Sequence, residues 1–239
     1  MSDADELPRG TTLTTEVPAR PAASMIVVRD APFEVLMLRR HENSSFIPNA
    51  WVFPGGVVDE PDAGIARDHA PALDLGPMRV AAVRETFEES GVWLGAPLED
   101  AAQKRRRLLA GSLSFRQILD EAPVDFSRLV WSARWITPVG LPKRFDTWFF
   151  TVAVARDVVA TAELTEAVEA TWIAPRDAVT WHNEGRLQMV FPTIRTLELV
   201  ARFHGSDDLL EERRTATIET IQPVILENGG RKSIVIPPR

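Results

Sequence analysis

The chain has 239 residues, of which 45% are hydrophobic and 26% are charged, as is typical of a globular protein with one hydrophobic core. Its net charge of -7 argues against nucleic acid as the main partner. It contains no cysteine, which excludes disulfides, thiolate nucleophiles and zinc–thiolate sites. The sequence has no apolar run of about 18 residues or more, so we expect no membrane partner and a cytoplasmic location.

Strands and helices are predicted to alternate along the chain. Hydrophobic periodicity predicts strands at 22–29, 33–40, 50–53, 129–137, 144–155 and 168–173, and helices at 77–90, 98–110, 114–121, 177–185, 192–203 and 207–214. Residues 1–20 are rich in Thr and Pro, a composition typical of a flexible leader. Residues 216–239 contain two apolar runs around an Asn-Gly-Gly turn, which predicts a β-hairpin tail. For 21–215 we predict one α/β domain, with a mixed sheet between helices and a C-terminal helical extension.

The predicted helix at 77–90 is the most informative element. Its spacing places Glu85, Glu88 and Glu89 on one face, opposite an apolar stripe. Like charges on one face repel, and the C-terminal end of a helix disfavours negative charge by about 0.3–1 kcal/mol each. An acidic face is often only solvated, but Gly55–Gly56 upstream allows backbone to approach a ligand closely. Together these elements suggest oxygen ligands for divalent cations and room for phosphate.

The same stretch resembles the nudix box of the nudix hydrolases, G-x5-E-x7-R-E-U-x-E-E-x-G-U, where U is aliphatic. The resemblance rests on Gly56, on Arg84-Glu85 and on 88–92. The segments 46–59 and 144–147 resemble the branch of the family that includes the peroxisomal coenzyme A diphosphatases of mammals, whose box is also interrupted. The resemblance implies an α/β/α sandwich with the acidic helix beside the sheet.

An insertion interrupts the box in this chain. Gly56 and Arg84 are 28 positions apart, against 14 in the family pattern, so 14 extra residues lie between them. The first box glutamate falls on Asp62 or on its neighbour Glu60, and both alternatives stay open. For the inserted segment, 60–76, we expect a surface excursion, with a lid or binding loop as the alternative. A second, helical insertion is predicted at 94–126.

The resemblance also implies the roles of the box residues. Mg²⁺ or Mn²⁺ would be held by Glu85, Glu88, Glu89 and the carbonyl of Gly55. Glu85 would be a further ligand or would orient the attacking water. Arg84 would belong to the catalytic set by holding a carboxylate in place rather than by touching substrate.

A further carboxylate is expected from a distant loop. Family enzymes often add such a residue as a metal ligand or general base, and Glu166 is the first candidate here, with Glu163 and Glu169 as alternatives. An acidic loop is otherwise simply solvated.

Three arginines are candidates for binding the phosphates or the nucleotide moiety of a substrate: Arg39, Arg40 and Arg144. A basic cluster at 104–107 could also bind phosphate, but the end of a solvated helix already explains its charge.

These observations predict a metal-dependent hydrolase that cleaves the diphosphate bond of a nucleoside diphosphate linked to another moiety. The branch resemblance favours coenzyme A or an acyl-CoA as substrate, and ADP-ribose or NADH is the alternative. A nucleotide-sensing nudix module without catalysis is the alternative of another class. A homodimer is left open.

Overall fold

A mixed sheet forms the centre of the computed structural model, which describes residues 7, 13–14, 17–44, 47–228 and 231–237. Eight strands in these ranges belong to it: β1 (Arg20–Arg29), β2 (Glu34–Arg40), β3 (Trp51–Val52), β4 (Gly55–Val57), β5 (Val130–Ile136), β6 (Phe145–Ala153), β7 (Ala167–Ile173) and β8 (Thr220–Ile221). Their main order is β3-β2-β1-β6-β5-β8, while β4 pairs with β1 and β7 pairs with β2. The β1–β6 and β5–β8 pairs are parallel, and the other pairs are antiparallel.

Helices cover both faces of this sheet. They are α1 (Glu60–His69), α2 (Gly76–Ser90), α3 (Ala101–Leu109), α4 (Phe115–Glu121), α5 (Pro175–Asn183), α6 (Phe191–Val200) and α7 (Ser206–Thr215). The alternation of side chains along β1 separates two cores, because successive residues of a strand point to opposite faces. Met25 and Val27 pack with α1, α2 and α4, whereas Ile26 and Val28 pack with α5, α6 and α7. The predicted α/β/α sandwich is therefore confirmed.

The insertion at 60–76 contains a helix and is not merely a surface excursion. Its helix α1 begins with a capping box, in which Asp59 and Asp62 satisfy each other's backbone amides. Ile65 and Ala66 are buried against α2. The segment thus contributes to the core on the side of the acidic helix, and the caps explain why it is helical.

The two ends of the chain are only partly described. The predicted leader lies largely outside the described residues, and its last residue, Arg20, begins β1. In the tail, β8 joins the main sheet beside β5, a pairing not expected from the sequence. Strands β9 (Val224–Asn228) and β10 (Arg231–Val235) then form an antiparallel pair where the hairpin is predicted. The two glycines of its turn lie outside the described residues.

Candidate active site

Helix α2 and strand β4 position the carboxylates of the site. The apolar side of α2 packs against the sheet, so Glu85, Glu88 and Glu89 project from its other side into a cavity of about 650 Å³. Gly55 and Gly56 of β4 form the neighbouring wall. The remaining lining residues come from β1, β2, α3, β6 and the loops before β6 and β7: Ala22, Ser24, Arg40, Val57, Leu109, Lys143, Phe145, Thr147, Glu163, Thr165 and Glu166.

Arg84 holds several acidic side chains of the site in place through hydrogen bonds. Its guanidinium donates to both carboxylate oxygens of Asp62, at 3.0 and 2.9 Å, and to the carbonyl of Val57 at 3.0 Å. It also donates to Glu85 at 2.8 Å and to Glu88 at 3.1 Å. A planar guanidinium with five donors can satisfy several acceptors in this way. The placement is consistent with the positioning role that the family resemblance implies for Arg84, which stays a prediction.

The two candidates for the first box position have different surroundings. Asp62 is fully buried and forms the bidentate pair with Arg84, whereas Glu60 is exposed at the start of α1. Because an unpaired buried carboxylate is costly, Asp62 and Arg84 depend on each other. The inserted helix therefore supplies the carboxylate that orients the arginine of the box.

Gly55 contacts the site through its amide. This amide donates to the Oε2 atom of Glu89 at 2.9 Å and so orients a carboxylate that also lines the cavity. The metal-binding role implied for the Gly55 carbonyl stays a prediction. Gly56 lies so close to Glu85 that a side chain on it would overlap the Glu85 carboxylate.

Burial raises the pKa values of all three glutamates. For Glu85, burial raises the pKa to about 7, although the neighbouring charge of Arg84 opposes the shift. For Glu89, burial and the negative charge of Glu85 raise the pKa to about 8, against the hydrogen bond from Gly55. Burial likewise raises the pKa of Glu88. Burial therefore favours the neutral form of these carboxylates, and a bound cation would oppose this effect.

The donor atoms fit a hard divalent cation. Mg²⁺ and Mn²⁺ prefer carboxylate and carbonyl oxygen as ligands. Glu85, Glu88 and Glu89 provide carboxylate oxygens, and Gly55 and Gly56 line the same cavity. In the part of the chain that the structure describes, no three such side chains already converge as a metal site. Two of the glutamates are directed to Arg84 and the third to the Gly55 amide. The residues thus fit the cation by the chemistry of their donor atoms.

Removal of divalent metal is expected to make stability fall with rising pH. Unfolded glutamate has a pKa near 4.3, so between about pH 4.3 and pH 8 the folded state holds more protons at Glu85 and Glu89 than the unfolded chain does. The free energy of unfolding should therefore decrease across this window, on the order of a few kcal/mol, and level off above it. Saturating Mn²⁺ should restore more stability at pH 8 than at pH 5, because the ligands must be deprotonated.

Urea unfolding in EDTA from pH 5 to pH 9 would measure this slope. The variant Glu89→Gln should flatten it, while Glu99→Gln, at an exposed position, should not. A wild-type slope unchanged by Glu89→Gln would contradict the prediction.

The two glycines of β4 are expected to respond differently to alanine. At Gly56 the added methyl group meets the movable end of Glu85, so Gly56→Ala should change the melting temperature little while weakening Mn²⁺ binding about 10- to 100-fold. At Gly55 the methyl group meets the backbone of Ala23 and Ser24, so Gly55→Ala should lower the melting temperature clearly. Calorimetric Mn²⁺ titration and thermal unfolding measure both quantities, and equal behaviour of the two variants would refute this distinction.

The loop before β7 brings two of its three candidate glutamates to the cavity. Glu163 and Glu166 both line it, whereas Glu169 forms an ion pair with Arg39 at 3.1 Å and does not. The Glu163 carboxylate accepts from the amides of Thr165 and Glu166 at 2.9 and 3.2 Å, so it shapes the loop. Glu166 therefore stays the first candidate for a base on this loop.

The three candidate arginines separate in the structure. Arg40 lines the cavity and donates to Ser44, while Arg39 pairs with Glu169 outside it. Arg144 is buried, and its guanidinium donates to the carbonyls of Thr137 and Val17, at 3.1 and 2.6 Å. Its donors are thus directed to backbone, so we retain only Arg40 as a candidate substrate ligand.

Sequence reasoning missed other residues of the opposite wall. Lys143, Phe145 and Thr147 line the cavity, although the sequence drew attention to Arg144 between them. The period of two in a strand places Phe145 and Thr147 on the same face of β6. That alternation is the signal that could have identified them.

Comparison with known proteins gives the family of this chain. A sequence profile described as the NUDT19 Nudix domain matches residues 66–199. The chain belongs to this nudix family. The resemblance of its interrupted box is thereby confirmed, and so is the expected assignment to the nudix hydrolases.

Individual relatives agree with this nudix assignment. The candidate nudix hydrolase 7 of Caenorhabditis elegans is 32% identical over 79% of this chain, and the alignment spans 62% of its own length, less than two thirds. The acyl-coenzyme A diphosphatase NUDT19 of Homo sapiens is 27% identical, with 81% of this chain and 68% of that protein covered. A nudix hydrolase crystal structure from Alicyclobacillus acidocaldarius superposes with a TM-score of 0.74 at 27% identity, covering 85% of this chain and 98% of that one.

The described part of this nudix chain contains no helix that is both long and apolar enough to cross a bilayer.

Proposed function

We propose that this protein hydrolyses the diphosphate bond of coenzyme A or an acyl-CoA with the help of Mg²⁺ or Mn²⁺. The observation that carries the proposal is the meeting of Glu85, Glu88 and Glu89 with Glu166 in one cavity. The names of the NUDT19 relatives support the choice of substrate. ADP-ribose and NADH share the diphosphate that this site would cleave and serve as competing substrates in the test.

The charge of the cavity explains why a cation is needed. Besides the three glutamates of α2, Glu163 and Glu166 line it, and only Arg40 and Lys143 among the lining residues are basic. A diphosphate would be repelled by this surface unless cations accompanied it. When bound, Mg²⁺ or Mn²⁺ would neutralise phosphate oxygens and lower the pKa of a water molecule.

The residues of the chain then divide the remaining tasks. Arg84 keeps Glu85 and Glu88 in place through its hydrogen bonds. Glu166 accepts a proton from the attacking water as the new oxygen–phosphorus bond forms and the anhydride oxygen–phosphorus bond breaks. Arg40 and Lys143 attract the phosphates to the cavity. The leaving phosphate departs with the electron pair of the broken bond.

A product assay tests this function. CoA, acetyl-CoA, ADP-ribose and NADH are incubated with the protein and Mg²⁺ or Mn²⁺, and the products are identified by mass spectrometry. We expect adenosine 3′,5′-bisphosphate with 4′-phosphopantetheine or its acetylated form, and no product in EDTA. A higher kcat/KM for ADP-ribose or NADH would replace CoA as the substrate. Nucleotide binding without any turnover would favour the sensing module.

A further inference from the structure

We propose that Arg105 is a positioning residue, which ties the C-terminal end of α2 to the loop 154–166 and thereby holds Glu166 at the cavity. The proposal rests on the proposed function, because Glu166 is a base only in that reaction. It concerns a residue that the nudix box does not contain and that lies on α3, in the second insertion.

Arg105 differs from the basic residues around it. The sequence predicts a solvated helix end for 104–107, and Arg106 and Arg107 are indeed exposed. Arg105 is instead only 9% exposed. Its Nε donates to the carbonyl of Glu88 at 2.8 Å, and its Nη1 donates to the carbonyl of Thr161 at 2.8 Å. One guanidinium thus links the acidic helix to the loop between β6 and β7.

The end of α2 requires such a partner. The last four carbonyls of a helix have no intrahelical donor, and the C-terminal end disfavours negative charge. Helix α2 has no basic residue in its last turn, although Glu88 and Glu89 lie there. Arg105 supplies both a donor and a positive charge from another element. The loop contributes as well, since the amide of Thr161 donates to the carbonyl of Ser90 at 2.8 Å.

The residue after α2 is shaped for this contact. Gly91 ends the helix with a φ of 70°, a conformation that glycine adopts without strain. A Cβ at Gly91 would lie 3.1 Å from Nη1 of Arg105, so a larger residue would crowd the guanidinium. The glycine of the box therefore also makes room for Arg105.

The segment from Thr161 to Glu166 connects the contact made by Arg105 to the position of Glu166. Five residues after Thr161, the amide of Glu166 donates to the carboxylate of Glu163 at 3.2 Å. The carbonyl of Glu166 accepts from the amide of His41 at 2.8 Å, which fixes its other side. Burial would raise the pKa of Glu163, but hydrogen bonds from Thr165 and Glu166 and the charge of Arg105 lower it. Arg105 thus holds Thr161, where the segment 161–166 begins, and it also favours the ionised form of the Glu163 carboxylate that shapes this segment.

The arrangement is not what stability alone would favour. The Nη2 atom of Arg105 is buried and has no hydrogen-bond partner among the described residues. A methionine could fill a similar volume without burying an unsatisfied donor. A lysine, with a single ammonium group, could not donate to the carbonyls of both Glu88 and Thr161 with the fixed planar geometry of a guanidinium. The bridging geometry is therefore the property that the experiment should remove.

Arg105→Met and Arg106→Met form a matched pair of test variants, one at a buried position and one at an exposed position of α3. For Arg105→Met we expect kcat to fall about 10- to 100-fold, as for a misplaced catalytic group, with KM and Mn²⁺ affinity nearly unchanged. Arg105→Lys keeps the charge and one hydrogen bond, so its kcat should lie between those of wild type and Arg105→Met. Arg106→Met should match wild type. A loss of Mn²⁺ affinity as large as the loss of kcat would overturn the proposal, because Arg105 would then act through α2.

A double-mutant cycle tests the connection to Glu166 directly. In a Glu166→Gln background, Arg105→Met should lower kcat by no more than about twofold, since a positioning residue has no effect once its target is gone. The same fold loss in both backgrounds would overturn the proposal.

Hydrogen exchange separates this proposal from the proposed function. Without substrate, the amides of 159–166 should exchange faster in Arg105→Met than in wild type and in Arg106→Met, while the middle of α2 keeps its protection. If the wild type hydrolyses no diphosphate, the proposed function fails, and the exchange result still decides whether Arg105 anchors the loop. Unchanged exchange in the loop would overturn the proposal, whatever the activity.

Discussion

Replacing Glu88 by glutamine is expected to lower kcat/KM for CoA by about three orders of magnitude. A bound divalent metal contributes several kcal/mol to stabilising the transition state of phosphoryl transfer, and 1.36 kcal/mol corresponds to a factor of ten. Glutamine keeps the size of the side chain and its contact with Arg84 through the amide oxygen, but it removes the negative charge that a cation requires. The fold should therefore be preserved.

A control at the other end of the box makes this result specific. Glu60 is the second candidate for the first box position and is exposed at the start of α1, so Glu60→Gln should retain wild-type kcat/KM. Steady-state kinetics with Mg²⁺ and calorimetric titration with Mn²⁺ measure both variants. Full activity in Glu88→Gln, or equal losses in the two variants, would contradict the assignment of Glu88 to the metal.

Replacing Arg84 by methionine is expected to reduce the free energy of unfolding by about 3–5 kcal/mol. Only 12% of the Arg84 side chain is exposed and only 1% of the Asp62 side chain, so the substitution leaves a buried carboxylate without its partner. Much of this loss is the cost of the unpaired charge rather than the net value of the pair. Arg84→Met combined with Asp62→Asn should therefore be clearly more stable than Arg84→Met alone.

Urea unfolding in EDTA measures these free energies without a contribution from metal. Arg39→Met is the matched control, because Arg39 also pairs with a carboxylate, that of Glu169, but with 37% and 47% of the two side chains exposed. We expect a change below about 1 kcal/mol there, as for surface ion pairs generally. If Asp62→Asn adds its own loss to that of Arg84→Met, the buried pair is not the source of the effect.

Local spacing was sufficient to predict the acidic helix and most strands. The i, i+3, i+4 rule depends only on helix geometry, so the common face of Glu85, Glu88 and Glu89 follows from their positions. The capping box of 60–69 could also have been recognised from Asp59 and Asp62 in the sequence, although the inserted segment was expected to be a surface excursion. The burial of α1 against α2, which is a tertiary contact, then shows that this segment belongs to the core.

Arg144 and Arg105 show where sequence reasoning fails. Both are basic residues in segments with several other candidates, and composition does not distinguish them from their neighbours. The partners of Arg144 include the carbonyl of Val17, and those of Arg105 include the carbonyl of Thr161. These contacts join residues that are far apart in sequence, and no local period contains information about them.

The sequence by itself determined the kind of site: carboxylates at helical spacing after a pair of glycines, in an interrupted nudix box. Their chemistry is set by residue type and by a short-range repeat, and both are present in the unfolded chain. Only the tertiary structure decided that Asp62 rather than Glu60 holds Arg84, and that Glu166 rather than Glu169 meets the acidic helix. It also decided that Arg105 is buried between that helix and the loop. The pairing of β1 with β6 and the packing of the inserted helices create these contacts, because burial and long-range hydrogen bonds exist only once the sheet has formed.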